Sequence, residues 1–154
     1  MKSNWLAQTA LLLWIVTIAV LAWFFIRGNT TAGTDGRAAV VLQSAERDLI
    51  LTEMRGLLVA LQGIIEGANR GDMQRISQAA SSAGMAAAAD VNPALLAKLP
   101  IGFKQLGMSL HSDMDEIAKA AQSGKAVPEI LKMTAGTISK CVACHSAWQL
   151  KAAN

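Results

Sequence analysis

The chain has 154 residues, 53% of them hydrophobic and only 5% aromatic, with three prolines. That length suits one modest domain plus an anchor, and the alanine-rich composition favours helices over a sheet. The formal charge of +3 is too mild to argue for nucleic acid. No Lys/Arg run or aromatic-interleaved basic patch is present either, so no nucleic-acid partner is expected.

Trp5 to Ile26 reads WLAQTALLLWIVTIAVLAWFFI and carries no charge. At about 1.5 Å per residue the run is about 33 Å long, enough for a bilayer core. Trp5 and Trp23 fall near its ends, where indoles are favoured, and Lys2 and Arg27 flank it. A secretory h-region is shorter, about 7–15 residues, and is followed by an A-x-A-like site. No such site follows Arg27, so residues 1–27 are expected to be an uncleaved transmembrane signal anchor. Trp14 lies mid-span and either faces another helix or is tolerated in lipid for its bulk.

Residues 28–36, GNTTAGTDG, show no apolar period. They read as a flexible linker that keeps a domain over 37–154 near the membrane yet free to reorient. Four helical stretches are expected in that domain. The first runs from about Arg37 to Glu66, with Leu51, Met54, Leu58, Leu61 and Ile65 as its apolar stripe. Gly67 and Gly71 are expected to break it. The second starts after Asp72, a plausible N-cap, and turns Met73, Ile76, Ala80, Ala83 and Ala87 inward. Asn92-Pro93 and Pro100 bracket a connecting segment with about one helical turn. The third spans about Ile101 to Gln122, with Phe103, Leu106, Leu110, Met114 and Ile117 inside and Gly124 as C-cap. The fourth runs from Pro128 to about Leu150, and Leu131, Thr134, Ile138, Cys141, His145 and Trp148 repeat the three-four spacing. Short connections make consecutive helices antiparallel neighbours, so the expected fold is all-α, an antiparallel four-helix bundle behind one membrane helix.

The fourth stretch carries Cys141-Val142-Ala143-Cys144-His145. Two thiols three positions apart can each bond a haem vinyl group, and the adjacent imidazole can take the iron. One covalent haem c is therefore expected, with Cys141 and Cys144 as thioethers and His145 as the proximal iron ligand. A redox dithiol of the thioredoxin type would open a helix beside a βαβ unit. A zinc site would need further ligands, and the only other histidine is His111. The chain has no third cysteine, so both thioethers leave none for a disulfide or a lipid anchor. Attachment of this kind takes place outside the bacterial cytoplasmic membrane, which puts the N-terminus in the cytoplasm and residues 37–154 in the periplasm. Lys140 either places positive charge near the haem edge or is simply solvated. Ser146 to Asn154 contain no methionine, so a sixth ligand is expected from an earlier helix.

A C-x-x-C-H motif on the last of four antiparallel helices resembles the class II cytochromes c, the cytochrome c-prime family, over about Arg37 to Leu150. Members often carry an aromatic and then an arginine after the haem histidine. Here Trp148 takes the aromatic position, but Gln149 replaces the arginine. The membrane helix is a second departure, because most members are soluble periplasmic proteins. The resemblance implies that the first helix faces the iron. A methionine there marks low-spin electron carriers, and an apolar residue marks five-coordinate proteins that bind NO or CO. With Arg47 in the place of a family arginine, the alignment offers either Met54 or, one turn earlier, Leu51. Met54 is the expected sixth ligand, with Leu51 over an open site and His111 as a second imidazole as the alternatives. The resemblance also implies a homodimer through the first helices.

The expected function is that of a membrane-tethered periplasmic electron carrier rather than an enzyme. It would be free-standing with redox partner proteins, or a subunit of a membrane respiratory or photosynthetic complex. The alternative is a five-coordinate haem protein that senses or scavenges NO or CO. No nucleophile–base pair stands out, because the imidazole next to Ser146 is committed to iron.

Overall fold

The computed structural model describes residues 3–153 and is mostly helical, with six α-helices and three short strands among them. Lys2, expected to flank the membrane run, lies outside the described residues. Helix α1, Ser3–Arg27, has a mean hydropathy of 2.5 over Asn4–Arg27, none of it buried within the protein. It is long and apolar enough to cross a membrane. Trp14 and its large apolar neighbours all point outward.

The segment 28–36, expected as a free linker, is instead part of the folded domain. Gly28 adopts φ +65°, and a Cβ there would lie 2.6 Å from the backbone of Lys98, Leu99 and Pro100, so only glycine allows this close approach. The Asn29 N–H donates to the Lys98 carbonyl at 2.7 Å. Thr30–Ala32 forms strand β1, which pairs antiparallel with β2, Ala38–Leu42. The Lys104 ammonium donates to the Phe25 carbonyl at 3.2 Å and sits 3.6 Å from the Phe25 ring centroid. A cation at a helix C-terminus meets the negative end of the helix dipole. The end of α1 is therefore docked on the domain, which removes the expected freedom to reorient.

The first domain helix, α2, spans Ser44–Arg70, not 37–66. Residues 38–42 pair as β2 before it. At its far end the helix runs through Gly67, whose missing side chain lets Ile76 approach; a Cβ would be 2.7 Å from Ile76 Cγ1. It stops at Gly71, φ +67°. Helix α3, Met73–Ser81, is capped by Asp72, whose Oδ1 accepts from the Arg75 N–H at 2.9 Å. A 3-10 turn, Met85–Ala88, and a short α4, Pro93–Lys98 with Asn92 as N-cap, lead to α5, Ile101–Gln122. Helix α6, Val127–Ala147, ends before the expected Leu150. Trp148–Ala152 forms β3, which pairs parallel with β2, Ala38 opposite Trp148 and Leu42 opposite Ala152.

Helix α2 packs on α3 and α6, α3 on α5, and α5 on α6. Their shared core includes Leu61, Ile64, Ile76, Met114, Ile117 and Ile130. A second cluster joins β2 to the starts of α2 and α5 through Val40, Leu42, Ile50, Leu95, Leu99 and Phe103. Two expected stripes are shifted in part, with Leu61 and Thr134 buried as expected. On α2 the buried side is Ile50, Leu61 and Ile64, while Leu58 and Ile65 are exposed. On α6 it is Ile130, Thr134 and Thr137, while Leu131 and Ile138 are exposed. Apolar residues cover a wide arc of both helices, so the period identifies the helix without fixing which side faces in. On α3 the stripe ends at Ala83, and Ala87 is exposed in the 3-10 turn.

Candidate functional site

Cys141 and Cys144 lie on the inner side of α6, in step with Thr134 and Thr137. Their sulfurs point to different neighbours: Cys141 packs against the helical core and Cys144 against the sheet cluster. Both are free and half-buried. Burial pushes both thiols above the ordinary thiol range, and Cys141 adds to the effect at Cys144, so both are protonated at neutral pH. Among the described residues no group of three His, Cys, Asp or Glu side chains converges in a metal-chelating arrangement. Cys141, Cys144 and His145 are instead spread along one helix.

Beside the end of α6 is a cleft of about 160 Å³. Cys144, His145 and Trp148 form one wall, and Leu51 and Met54 of α2 form another. Phe103 contributes from α5, with its ring edge-to-face to Trp148 at 5.9 Å between centroids. Arg37 and Arg47 add two guanidinium groups to a lining that is otherwise mostly apolar. His145 is exposed at the mouth. The structure thus brings together four of the candidate haem-binding and ligand residues named from the sequence, Cys144, His145, Met54 and Leu51. Cys141 lies one turn earlier on the same helix and is not part of the lining. No family model, no curated protein and no solved structure matches the chain.

His111 lies elsewhere. It is buried in α5, with Nδ1 2.9 Å from the Ala83 carbonyl, and does not line the cleft. Glu53, next to Met54, is half-buried; burial raises its carboxyl, partly opposed by His111. Lys140 is neither free nor at the cleft. It pairs with Asp113 at 2.7 Å and donates to the Ser109 carbonyl at 3.3 Å, tying α6 to α5 beside Cys141.

Arg37 is the residue that the sequence reading passed over. It lies in the loop between β1 and β2, and its Nη1 donates to the carbonyls of His145 at 3.2 Å and Trp148 at 3.5 Å. Asp35 holds the same guanidinium through Nε at 2.8 Å and Nη2 at 2.5 Å. Gln149 in turn donates to Asp35 at 3.2 Å. A hairpin signal was present in the sequence, because Asp35-Gly36 precedes the apolar run Ala38–Leu42.

Proposed function

We propose that the protein is a membrane-tethered c-type cytochrome of the four-helix-bundle class, with its haem domain in the bacterial periplasm, and that it transfers single electrons. The observation that carries this proposal is the cleft. Its lining brings together Cys144 and His145 of the C-x-x-C-H motif, Met54 and two arginines. Helices α2, α3, α5 and α6 are the four of the bundle, and α4 is an insertion between the second and third.

The donor set fits haem c. Cys141 and Cys144 would hold the vinyl groups, and both are uncommitted thiols on one side of α6. His145 and Met54 would hold the iron. Arg37 and Arg47 would face the propionates, since guanidinium suits carboxylate. The cleft is smaller than the ~300–1,000 Å³ of pockets that enclose a large ligand, so a haem attached here displaces rim side chains or remains partly in solvent. When bound, haem supplies a one-electron Fe(III)/Fe(II) couple, and a thioether ligand favours the reduced state. The chain's own contribution is to fix the ligands, exclude water with Phe103 and Trp148, and keep the site close to α1. Phe103 lines the cleft while its neighbour Lys104 grips Phe25. The partner is then a membrane redox complex, or a redox protein that meets it there.

Leu51 lines the same wall as Met54, which keeps a second function in view: an open sixth position that binds NO or CO. Reduced-minus-oxidised spectra with and without CO separate the two. Sharp low-spin bands that CO does not move support the Met54 ligand, and Met54→Ala should convert them to a spectrum that CO shifts. A wild-type spectrum that already shifts with CO assigns the site to gas binding.

A further inference from the structure

The loop at 33–37 reaches across the fold to the cleft. Arg37 is 108 positions from His145 in sequence, yet it donates to the His145 carbonyl at 3.2 Å. Its guanidinium makes four hydrogen bonds, two to Asp35 and two to the carbonyls that end α6. Five N–H groups are available on a guanidinium, so one remains for another acceptor. The Arg37 side chain is 33% exposed, enough for an anion to reach it from the cleft. Gln149 occupies the position after Trp148; it lines the cleft, and its amide donates to Asp35. Gly33 makes that contact sterically feasible, because a Cβ there would collide with the Gln149 amide.

We propose that the Asp35–Arg37 pair is a positioning device for the haem: Arg37 fixes the peptide that carries His145 and gives its remaining N–H and its charge to a haem propionate. The cation that an arginine at 149 would have placed next to the motif comes instead from a hairpin at the other end of the domain. This inference rests on the cytochrome reading. Its electrostatic consequence is specific. A cation near the iron favours the reduced state, which carries less positive charge, and an anion does the opposite. Removing Arg37 should lower the midpoint potential, and removing the Asp35 charge should raise it. Both substitutions break the same clamp, so mechanical loosening alone would move the potential the same way in both.

The test is spectroelectrochemistry at low ionic strength, where screening is weakest. Wild type, Arg37→Gln, Arg37→Lys and Asp35→Asn are measured after covalent haem has been verified on a denaturing gel. The expected result is a downward shift in Arg37→Gln, largely restored in Arg37→Lys, and an upward shift in Asp35→Asn. Unchanged potentials, or shifts of the same sign in Arg37→Gln and Asp35→Asn, overturn the inference and leave the cytochrome reading standing. If Arg37→Gln does not accumulate, Asp35→Asn decides: a rise supports the proposal and no rise overturns it. A wild-type protein without covalent haem overturns both.

Discussion

The two clusters of the domain are built by different means. The helical core is small-residue packing among α2, α3, α5 and α6, rich in alanine, with Ile64, Ile76, Met114 and Ile130 as its large members. The other cluster is held by chain ends. β2 and β3 come from opposite ends of the domain and pair in parallel, with the helices between them as the crossover connection. The two meet at α6, with Cys141 on the first and Cys144 on the second. The helical core thus supports the motif, while the sheet-bound cluster shapes the cleft around it.

Equivalent truncations on the two sides should therefore have unlike consequences. Met114→Ala and Leu42→Ala each remove a large, fully buried side chain, and each should cost roughly 2–5 kcal/mol in denaturant unfolding. Only Leu42→Ala should also speed alkylation of Cys144 in haem-free protein under native conditions, because Leu42 belongs to the cluster on which Cys144 packs. Equal Cys144 reactivity in the two variants would mean that the clusters are not separable.

A smaller effect distinguishes two glycines within α2. Gly67→Ala places a Cβ 2.7 Å from Ile76 Cγ1, whereas a Cβ at Gly56 meets nothing within 4 Å. Gly56→Ala should stabilise by about 0.5–1 kcal/mol through helix propensity. At Gly67 the same gain is opposed by overpacking of about 1–3 kcal/mol, so net destabilisation is expected. Thermal unfolding of the two single variants checks the opposite signs.

The smallest effect is at the sheet-bound start of α2. The Lys98 ammonium, at 2.5 Å, and the Gln43 N–H, at 3.0 Å, hold the Glu46 carboxylate below the ordinary carboxylate range. Glu46 thus stays charged to lower pH when folded than when unfolded. Its contribution is complete above the ordinary carboxylate range and is lost as pH falls through the lowered value. The gap in Tm between wild type and Glu46→Gln should be present at neutral pH and should close in acid.

The same division explains what could be read from the sequence. Helix α5 has the bounds that its spacing gave, and the Asp72 and Asn92 caps are where local chemistry put them. Those signals are local. The sheet depends on partners about 110 positions apart, and Ala38–Leu42 and Trp148–Ala152 are short apolar stretches that extend a helical period as readily as they form a strand. The phase error on α2 and α6 has a related cause, since Leu58 and Ile65 make an outer apolar row as regular as the inner one. Of the cleft lining, Cys144 and His145 were legible as part of a contiguous motif and Met54 as one of two residues on a stripe. Arg37 was not, because its contacts with the end of α6 exist only once β2 and β3 have paired.

The most direct test of the central claim is the intact mass of the purified protein made in a host with c-type haem maturation, measured after denaturation and extraction of non-covalent haem. The expected mass is that of the 16.2 kDa chain plus one haem, with the addition lost in Cys141→Ala/Cys144→Ala. A wild-type mass equal to the bare polypeptide would contradict the account.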